Sequence, residues 1–467
     1  MRIKQATSAA VLALAALLFA AGGCAPAVSP TSIKAIASSP IPAAAGITMP
    51  AGPYGELRVA VATFGREKFE LPVMAATDLS LADPMFDVML WQDKGQLTPG
   101  VVEDYVMAPD ALSWTLHVRK GVMFHNGDEV DARDIKFSLE QYMRPDSLQP
   151  MMRNGVSKIE IVDARTVRVS TRGPQPYFPT WITLGSPQQG AVMPKSYIEA
   201  RGWPYASANP VGTGPFRFSK HVPGDMVQFE AVNSHWRMVP SFKKLTIVLV
   251  PEESTRVASL KTGAVDIIET NLDSLLELQS MGFQTPVVDQ VGIGSMFYGT
   301  YDQRAANAAV SDIRVRKALA ISINRDEIRK KFFRGLGGPA MPVQTTTATL
   351  EIDVPYWEKY FAAMYKYDPE QAKQLLKEAG YPNGGFPVIL YAHPISGTPW
   401  LPQLSEVIAG YWRKIGVDAK VVPVDYGTLQ TWRKPLADPL VGAHAFMRYP
   451  SGAPAIRGLD STWGSQG

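Results

Sequence analysis

The sequence has few cysteines, few long apolar runs and little net charge, the features of disulfide-bonded, membrane-spanning and nucleic-acid-binding proteins. Cys24 is the only cysteine among 467 residues, so no disulfide framework can form. Beyond residue 21 no apolar run is long enough to span a bilayer. The formal net charge is +3, and it falls to +1 without Arg2 and Lys4, which lie in a segment that we expect to be removed. A near-neutral chain gives no support for binding nucleic acid or an acidic membrane surface.

The motifs that specify a reaction are also missing. There is no HExxH pair, no P-loop, no G-x-G-x-x-G and no G-x-S-x-G. The six histidines are scattered: His117, His125, His221, His235, His393 and His444. We interpret His125 as a turn residue that satisfies backbone groups and not as a metal ligand. The sequence therefore predicts no enzyme, no metal site and no cofactor.

The N-terminus has the pattern of an export signal. Arg2 and Lys4 form a basic start, residues 9–21 form an apolar run, and Gly22-Gly23 form a small-residue end. Residues 1–23 are therefore predicted to be a signal peptide. Residues 24–54 are rich in Ala, Pro and Ser and should act as an extended tether, because they cannot bury enough apolar surface to order themselves.

Cys24 follows Ala21-Gly22-Gly23 directly, and this junction resembles a bacterial lipoprotein cleavage site with Ala21 in place of the usual Leu. In that interpretation Cys24 becomes the lipidated first residue, and acyl chains hold the protein at a membrane. The alternative is ordinary cleavage after Ala25-Pro26-Ala27, which would discard the cysteine. A lone cysteine at this place has little other use in an exported protein, which favours lipidation.

The stretch from residue 209 to 268 carries the strongest local signals. Gly212 and Gly214 flank Thr213 and allow a tight turn where a Cβ would clash. Pro223-Gly224-Asp225 predicts a hairpin between two alternating strands. A buried strand over 245–250, a helix over 252–262 that ends at Gly263 and a strand over 265–268 should follow. This strand–helix–strand order implies a right-handed crossover and a partly parallel sheet.

Caps and alternation predict further elements on both sides of that stretch. Residues 56–62 alternate as a strand, and Asp83-Pro84 is predicted to start a helix that runs through Trp91. Asp131 should cap a helix, with Asp134 in its first turn. The other predicted elements are a hairpin over 159–170, a strand over 297–301, helices capped by Asp312, Asn324 and Asp368, and a strand over 417–424.

Several of these segments together resemble the family-5 extracellular solute-binding proteins of ABC importers, the dipeptide- and oligopeptide-binding group. The segments read GTGPFRF, PEESTRVASLKTGAVDI, LHVRKGVMFHNGDEVDARDIKFSLEQY, SDIRVRKALAISINRDEIRKKFFRGLG and YDPEQAKQLLKEAGYPNGGF. The resemblance runs in register from about residue 56 to residue 449. It implies an α/β, bilobal, periplasmic-binding-protein-like (type II) fold with mixed sheets, an inserted subdomain and two hinge crossings.

The resemblance also implies a domain plan and a function. Residues 55–278 would form the first lobe, with a subdomain at about 97–193 inserted in it, and residues 279–467 would form the second lobe. The protein would capture a small solute of the peptide class between the lobes, close on it, and deliver it to the transmembrane subunits of an ABC permease. It would act as a monomer in the periplasm or at the cell surface, held through Cys24, with no covalent chemistry.

Aromatic residues in loops beside Gly or Pro are candidates to line the cleft, although packing in the core is the alternative for each. The candidates for ligand binding are Trp181, Tyr298, Tyr301 and Trp400. Arg448 joins them because members of the family carry Trp-x-Ala-Asp-Tyr-x-x-Pro, whereas this chain reads Ala445-Phe446-Met447-Arg448-Tyr449-Pro450. A cation in place of the acid would repel an ammonium and bind a carboxylate. A shift of register by one or two residues is the alternative.

The chain stops at Gly467, where the resemblance leads us to expect a return to the first lobe. We therefore expect a missing C-terminal segment, an uncovered apolar patch on the first lobe and poor stability. For function, a nickel complex, an opine or a sugar remains an alternative solute. A secreted hydrolase is a less favoured alternative, since no motif supplies an activated nucleophile, and a purely structural lipoprotein would not need a bilobal, aromatic-rich fold.

Overall fold

The computed structural model describes most of the chain after residue 51. The described residues are 52–74, 78–93, 96–147, 150–183, 190–286, 294–297, 308–336, 338, 353–394, 397–425, 428 and 444–448. Residues 1–51, which include Cys24, lie outside them together with Tyr298, Tyr301 and residues 449–467, so the expectations about these residues stay predictions. Tyr54, the last residue of the predicted tether, is paired with the folded part of the chain: its N–H donates to Ser241 O at 3.0 Å, and its O accepts the N–H of Lys243 at 3.2 Å. Among the helices of the described residues, none has the length and apolar character needed to cross a bilayer.

The strands of the described residues belong to four sheets. In chain order they are β1 (Glu56–Val61), β2 (Leu90–Asp93), β3 (Gln96–Pro99), β4 (Val102–Met107), β5 (Ser113–Val118), β6 (Val156–Asp163), β7 (Thr166–Thr171), β8 (Phe216–Val222), β9 (Met226–Ala231), β10 (Lys244–Leu249), β11 (Ile267–Ile268), β12 (Gly294–Phe297), β13 (Pro387–Ala392), β14 (Asp418–Pro423) and β15 (His444–Arg448). The strand orders are β11-β1-β10-β9-β8, β4-β5-β7-β6, β12-β15-β13-β14 and the hairpin β2-β3.

Helices and helical turns connect these sheets. They are Leu71–Val73 (3-10), Leu79–Ala82, Ala132–Tyr142, Pro150–Gly155, Phe178–Trp181, Lys195–Arg201, Trp203–Ala208, Glu253–Lys261, Leu272–Ser280, Ala309–Ser311 (3-10), Ile313–Ile321, Arg325–Glu327, Ile328–Phe332 (π), Val354–Met364, Pro369–Glu378 and Leu401–Lys414. The predicted caps are confirmed. The side chains of Asp131, Asp312, Asn324 and Asp368 each accept a backbone N–H of the first turn, and Asp131 with Asp134 forms a complete capping box.

The first sheet has the predicted mixed character. β1 pairs in parallel with both β10 and β11, and the helix Glu253–Lys261 connects these two partners. β10, β9 and β8 then continue antiparallel, with the predicted hairpin turn at Gly224, where φ is +70°. The crossover from β10 through the helix to β11 therefore brings the carboxyl ends of three parallel strands to one edge.

One predicted helix is wrong. Residues 83–89 are not helical; a short helix, Leu79–Ala82, precedes them, and Trp91 lies in β2. The backbone of this segment bonds to remote partners: Gly214 N–H donates to Met85 O at 2.7 Å, and Val192 N–H donates to Asp87 O at 3.1 Å. Pro84 also disfavours the helical conformation of the residue before it. Long-range pairing therefore overrides a periodicity that is compatible with a helix.

Most buried apolar side chains of the described residues form one cluster between residues 57 and 247 and another between residues 310 and 419. The first cluster contains Val59 of β1 together with Trp114 and Val167 of the β4–β7 sheet. The segment predicted as an inserted subdomain therefore shares a core with the sheet that flanks it. The second cluster surrounds β13 and the fully buried Trp412. The predicted boundaries at residues 97, 193 and 278 stay predictions.

Candidate functional site

Two sheet edges define the candidate site. In the first sheet, the parallel strands β1, β10 and β11 end at Val61, Leu249 and Ile268. In the other sheet, β13 runs parallel to both β14 and β15. Ligands of open α/β sheets bind outside the carboxyl ends of parallel strands, because the connecting loops and helix N-termini converge there. Side chains that follow these strands are therefore the candidates for solute contact.

Arg448 is the last residue of β15, so it lies at the carboxyl edge of its sheet. Phe446 pairs with Tyr391 of β13 in parallel register, and Arg448 pairs with Gly294 of β12 in antiparallel register. β13 ends at Ala392, and the segment that follows it leads through Gly397 to Trp400. The topology therefore brings two sequence-predicted positions, Arg448 and the segment that carries Trp400, to the same edge.

The two edges meet through Glu269, which directly follows β11. Its Oε2 accepts the N–H of Ala62, the residue after β1, at 3.1 Å. Its Oε1 accepts the N–H of Gly397, in the segment that follows β13, at 2.9 Å. We call the described residues up to 286 the first half and those from 294 onward the second half. A further contact between these halves is the exposed ion pair of Asp273 with Arg334. The carboxyl edges of the two sheets therefore face each other across Glu269.

Arg256 supports this junction from inside the first half. Arg256 is 1% exposed, and its guanidinium donates to Glu269 O at 2.9 Å, Val250 O at 2.6 Å and Pro251 O at 2.7 Å. Burial lowers the pKa of Arg256, and the nearby carboxylates of Glu269, Glu253 and Glu252 oppose that effect. The arginine thus caps carbonyl groups where β10 ends and the helix Glu253–Lys261 begins, with a buried acid close by.

Trp400 is half-buried at the start of the helix Leu401–Lys414. Its ring lies edge-on to Phe333, with centroids 5.1 Å apart, and to Phe332, with centroids 6.3 Å apart. Arg334, which forms the ion pair with Asp273, directly follows Phe333. This aromatic group therefore borders the junction between the two halves, where a ring with an accessible edge can contact a solute.

Trp181 lies elsewhere. It ends the helix Phe178–Trp181, is 4% exposed, and packs edge-on against Phe178 with centroids 5.7 Å apart. Its ring also fills the space beside Gly155, where an added Cβ would lie 2.6 Å from Cη2 of Trp181. These contacts favour packing in the core, which was the alternative for this residue. Contact of Trp181 with a solute stays a prediction, as does contact of Tyr298 and Tyr301.

The turn around Thr213 is held by His125 and by His235, whose Nε2 lies 3.0 Å from Thr213 O. Gly212 N–H donates to His125 Nδ1 at 3.3 Å, which leaves Nε2–H of His125 to donate to Gly214 O at 2.9 Å. Burial lowers the pKa of His125. The interpretation of His125 as a residue that satisfies backbone groups is therefore confirmed. An added Cβ on Gly212 would lie 2.0 Å from Met85 O, so the backbone approach requires glycine.

Asp87 joins the same turn to the loop that follows β9. The carboxylate of Asp87 is buried and accepts the Nε1–H of Trp236 at 2.8 Å and the Nε2–H of His235 at 3.0 Å. The backbone N–H of Asp87 donates to Thr213 Oγ1 at 3.1 Å. Arg237 approaches the other carboxylate oxygen at 3.4 Å. The whole network is used for structure, so Trp236 has a packing and hydrogen-bonding role here.

Neither Asp87 nor Glu269 was singled out from the sequence. Each is an acid directly beside a strongly apolar run, MFDVML for Asp87 and VDIIET for Glu269. That position is a signal in itself, because a buried carboxylate must find hydrogen-bond donors. Among the residues that the structure describes, no group of three or more His, Cys, Asp or Glu side chains could hold a metal ion.

Residues 96–464 match the family described as bacterial extracellular solute-binding proteins, family 5. The chain is similar to the dipeptide-binding protein of Escherichia coli K12, with 26% identity over 71% of this chain and 64% of the relative. It is also similar to heme-binding protein A of Haemophilus influenzae, with 28% identity over 71% of this chain and 62% of the relative. The chain thus spans somewhat less than two thirds of the length of these curated relatives.

Solved structures agree on the fold. The binding protein MoaA from A. tumefaciens R10, solved with mannopinic acid, superposes with a TM-score of 0.72 at 24% identity, covering 87% of this chain and 80% of that chain. DppA from Helicobacter pylori, solved with the peptide STSA, superposes with a TM-score of 0.68 at 22% identity, covering 87% and 80%. The α/β fold with mixed sheets is that of the type II periplasmic binding proteins. The chain belongs to the bacterial extracellular solute-binding proteins of family 5.

Proposed function

We propose that this protein is the extracytoplasmic solute-binding component of an ABC importer, which captures a solute between its two halves and delivers it unchanged to a membrane permease. The observation that carries the proposal is the match over residues 96–464 to family 5. The facing carboxyl edges, joined by Glu269 and bordered by Trp400, supply a place for the solute. The family consists of binding proteins, and no covalent step is proposed.

Peptides are the solute class that we propose. Relatives at 26–27% identity carry the names dipeptide-binding protein and glutathione-binding protein, and both names refer to short peptides. An extended peptide offers amide groups and a terminal carboxylate. Loop backbone groups at the ends of strands can pair with the amides, and half-buried aromatic rings such as Trp400 can contact the side chains.

Arg448 suggests which end of the peptide is held. An arginine at this position favours a carboxylate, which a guanidinium can bind through two parallel N–H···O bonds, and disfavours an ammonium. We therefore propose a solute anchored through an acidic group. The N-terminal amine of a peptide would lie away from Arg448 or make no contribution there.

Calorimetric titration with matched dipeptides tests the function and the polarity together. The set contains one free dipeptide, its N-acetylated form and its C-terminal amide. Amidation should weaken binding about tenfold or more, because loss of a buried charged partner costs about 1.5–3 kcal/mol, whereas acetylation should have little effect. Mass spectrometry should recover the bound peptide intact. Failure of the protein to bind any of a broad peptide library, or recovery of cleaved peptide, would overturn the proposed function.

Two variants test Arg448 itself. Arg448→Ala should remove the difference between the free and the amidated dipeptide, and Arg448→Lys should keep part of it, because an ammonium retains the charge but not the planar fork. Unchanged affinities of Arg448→Ala for every dipeptide would overturn the role of Arg448 without affecting the proposed transport function.

The sequence of the N-terminus supports a proposal for where the protein is located in the cell envelope. We propose that Cys24 is lipidated after removal of residues 1–23, and that the protein acts as a monomer on a tether of residues 24–54, at the outer face of a membrane next to the permease. Labelling of expressing cells with radioactive palmitate should mark the wild type but not Cys24→Ala. An unlabelled wild type would indicate ordinary cleavage after Ala27.

A further inference from the structure

The side chain of Glu269 contacts the first sheet and also the segment that follows β13. One carboxylate oxygen accepts the N–H of Ala62 and the other accepts the N–H of Gly397, so a single side chain bonds to backbone on both halves. Ala62 and Glu269 both follow parallel strands of the first sheet, whereas Gly397 lies between β13 and the helix Leu401–Lys414. The contact therefore crosses the space in which we place the solute.

The environment makes this contact strong. Glu269 is 8% exposed, so its charge has little access to water. The buried guanidinium of Arg256 donates to the carbonyl oxygen of the same residue at 2.9 Å. Hydrogen bonds to an ionised, buried acceptor are stronger than those between neutral groups, and a buried acid that loses a donor is destabilised. By contrast, the ion pair of Asp273 with Arg334, which also joins the halves, is exposed on both sides and contributes little.

The geometry at Gly397 suits the contact. Its φ is +82°, a region that residues with a side chain rarely adopt, and its N–H donates to Glu269. Trp400 lies three residues later, inside a turn in which Leu401 N–H donates to Thr398 O at 3.2 Å. The bond from Gly397 N–H to Glu269 therefore connects the segment 397–400 to the ends of β1 and β11.

We infer that Glu269 is a positioning residue for solute binding, which holds the segment 397–400, and with it Trp400, against the first half. The inference rests on the proposed function, because it assigns Glu269 a role at that same site. A glutamate is required and glutamine is not equivalent. Glutamine has one acceptor oxygen, and its NH₂ group would face the second N–H. Glu269→Gln can therefore keep only one of the two bonds.

Amide hydrogen exchange in the absence of solute tests this role. In Glu269→Gln, exchange of the segment 397–400 should accelerate about tenfold or more, while β10 stays protected. The matched control is Asp273→Asn, which removes the exposed ion pair and should leave exchange of 397–400 unchanged. Acceleration confined to β1 and β11 would show that Glu269 serves only the first sheet, and would overturn the inference.

A distance measurement gives an independent readout. Spin labels on Ser219→Cys and Lys373→Cys, in a Cys24→Ser background, report the separation of the halves from exposed positions. Glu269→Gln should shift the distribution to longer distances, and Asp273→Asn should not. Identical distributions for the wild type and Glu269→Gln would overturn the inference.

The wild type decides the question if Glu269→Gln does not fold. A bonded Gly397 amide should then exchange about tenfold or more slowly than an unprotected amide in the wild type. A fully unprotected Gly397 would overturn the inference. These readouts need no solute, so they can succeed even where the wild type binds no peptide and the proposed function fails.

Discussion

Trp181 is a residue whose two possible roles can be separated by one pair of substitutions. The ring of Trp181 lies against Gly155, the last residue of the helix Pro150–Gly155. A Cβ added to Gly155 would lie 2.6 Å from Cη2 and 2.8 Å from Cζ3 of the indole. Gly155 is not among the glycines with positive φ, so alanine is compatible with its backbone. Gly155→Ala therefore tests side-chain packing with little backbone strain.

The magnitudes follow from packing. Gly155→Ala inserts a methyl group into a filled space and should lower the free energy of unfolding by about 1–3 kcal/mol. Trp181→Phe removes the fused ring that the methyl group meets. It should cost about 2 kcal/mol, because the two side chains differ by up to about 100 Å² of buried area at about 25 cal/mol/Å². The double variant should be no less stable than Trp181→Phe alone, which gives a favourable coupling of about 1–3 kcal/mol.

Urea unfolding followed by circular dichroism measures all four proteins of this cycle. Gly173→Ala is the control, because a Cβ at Gly173 meets nothing within 4 Å and should change the free energy of unfolding by less than about 0.5 kcal/mol. Additive effects in the double variant would refute the contact and the reasoning built on it. The unfolding m-values should agree across the set, so that the differences refer to the folded state.

The same variant separates packing from solute contact. If Trp181 belongs only to the core, Trp181→Phe should bind a dipeptide within about twofold of the wild type, because the change in stability does not alter the affinity of the folded state. A loss of about tenfold or more corresponds to about 1.4 kcal/mol and would assign Trp181 to the binding site. That result would support the sequence-based candidate against the structural placement.

Three further predictions concern the turn around Thr213 and the helix caps. Burial lowers the pKa of His125 below its usual 6.5, so the unfolded chain binds more protons. The free energy of unfolding should then fall as the pH drops from about 6.5 toward the folded-state pKa, and His125→Gln should flatten this dependence in urea titrations at several pH values. Gly214→Ala should lower the free energy of unfolding by about 3 kcal/mol or more, because its Cβ would lie 2.6 Å from Pro84 O. Gly410→Ala is the control: it lies inside an α-helix with free space around it and should raise the free energy of unfolding by up to about 1 kcal/mol. Equal shifts of the melting temperature in the two variants would contradict this prediction. Asp131→Ala should cost about 1 kcal/mol in the same melts, and no change would show that the capping box is unimportant.

Local chemistry predicted many individual elements of the fold. A cap such as Asp131 acts within three residues, and a turn such as Pro223-Gly224-Asp225 is specified by the conformations of its own residues. The partly parallel character of the first sheet followed from the strand–helix–strand order, whereas the position of β1 between β10 and β11 did not. These features depend on short windows of sequence or on general rules of connection, so one sequence is sufficient to find them.

Residues 83–91 show that a short stretch of sequence can predict the wrong secondary structure. Their periodicity predicted a helix, yet Met85 O pairs with Gly214 N–H and Asp87 O pairs with Val192 N–H. Each partner lies more than a hundred residues away in the sequence. The sequence predicted a tight turn at Gly212 and Gly214 where a Cβ would clash, but it did not indicate that the clash is with the remote backbone of Met85. The same limit applies to the site, where Arg448 and Trp400 were named without a reason for them to lie at one edge.

Asp87 and Glu269 show what a sequence could still reveal about long-range structure. A carboxylate that is buried beside an apolar strand has no donors among its immediate neighbours, so its hydrogen bonds must come from another part of the chain. Asp87 binds His235 and Trp236, and Glu269 binds Ala62 and Gly397. In both cases the acid marks a junction between segments that are far apart in sequence. An acid next to an apolar run is therefore a candidate junction residue, and at the edge of a parallel sheet it is also a candidate for positioning the ligand site.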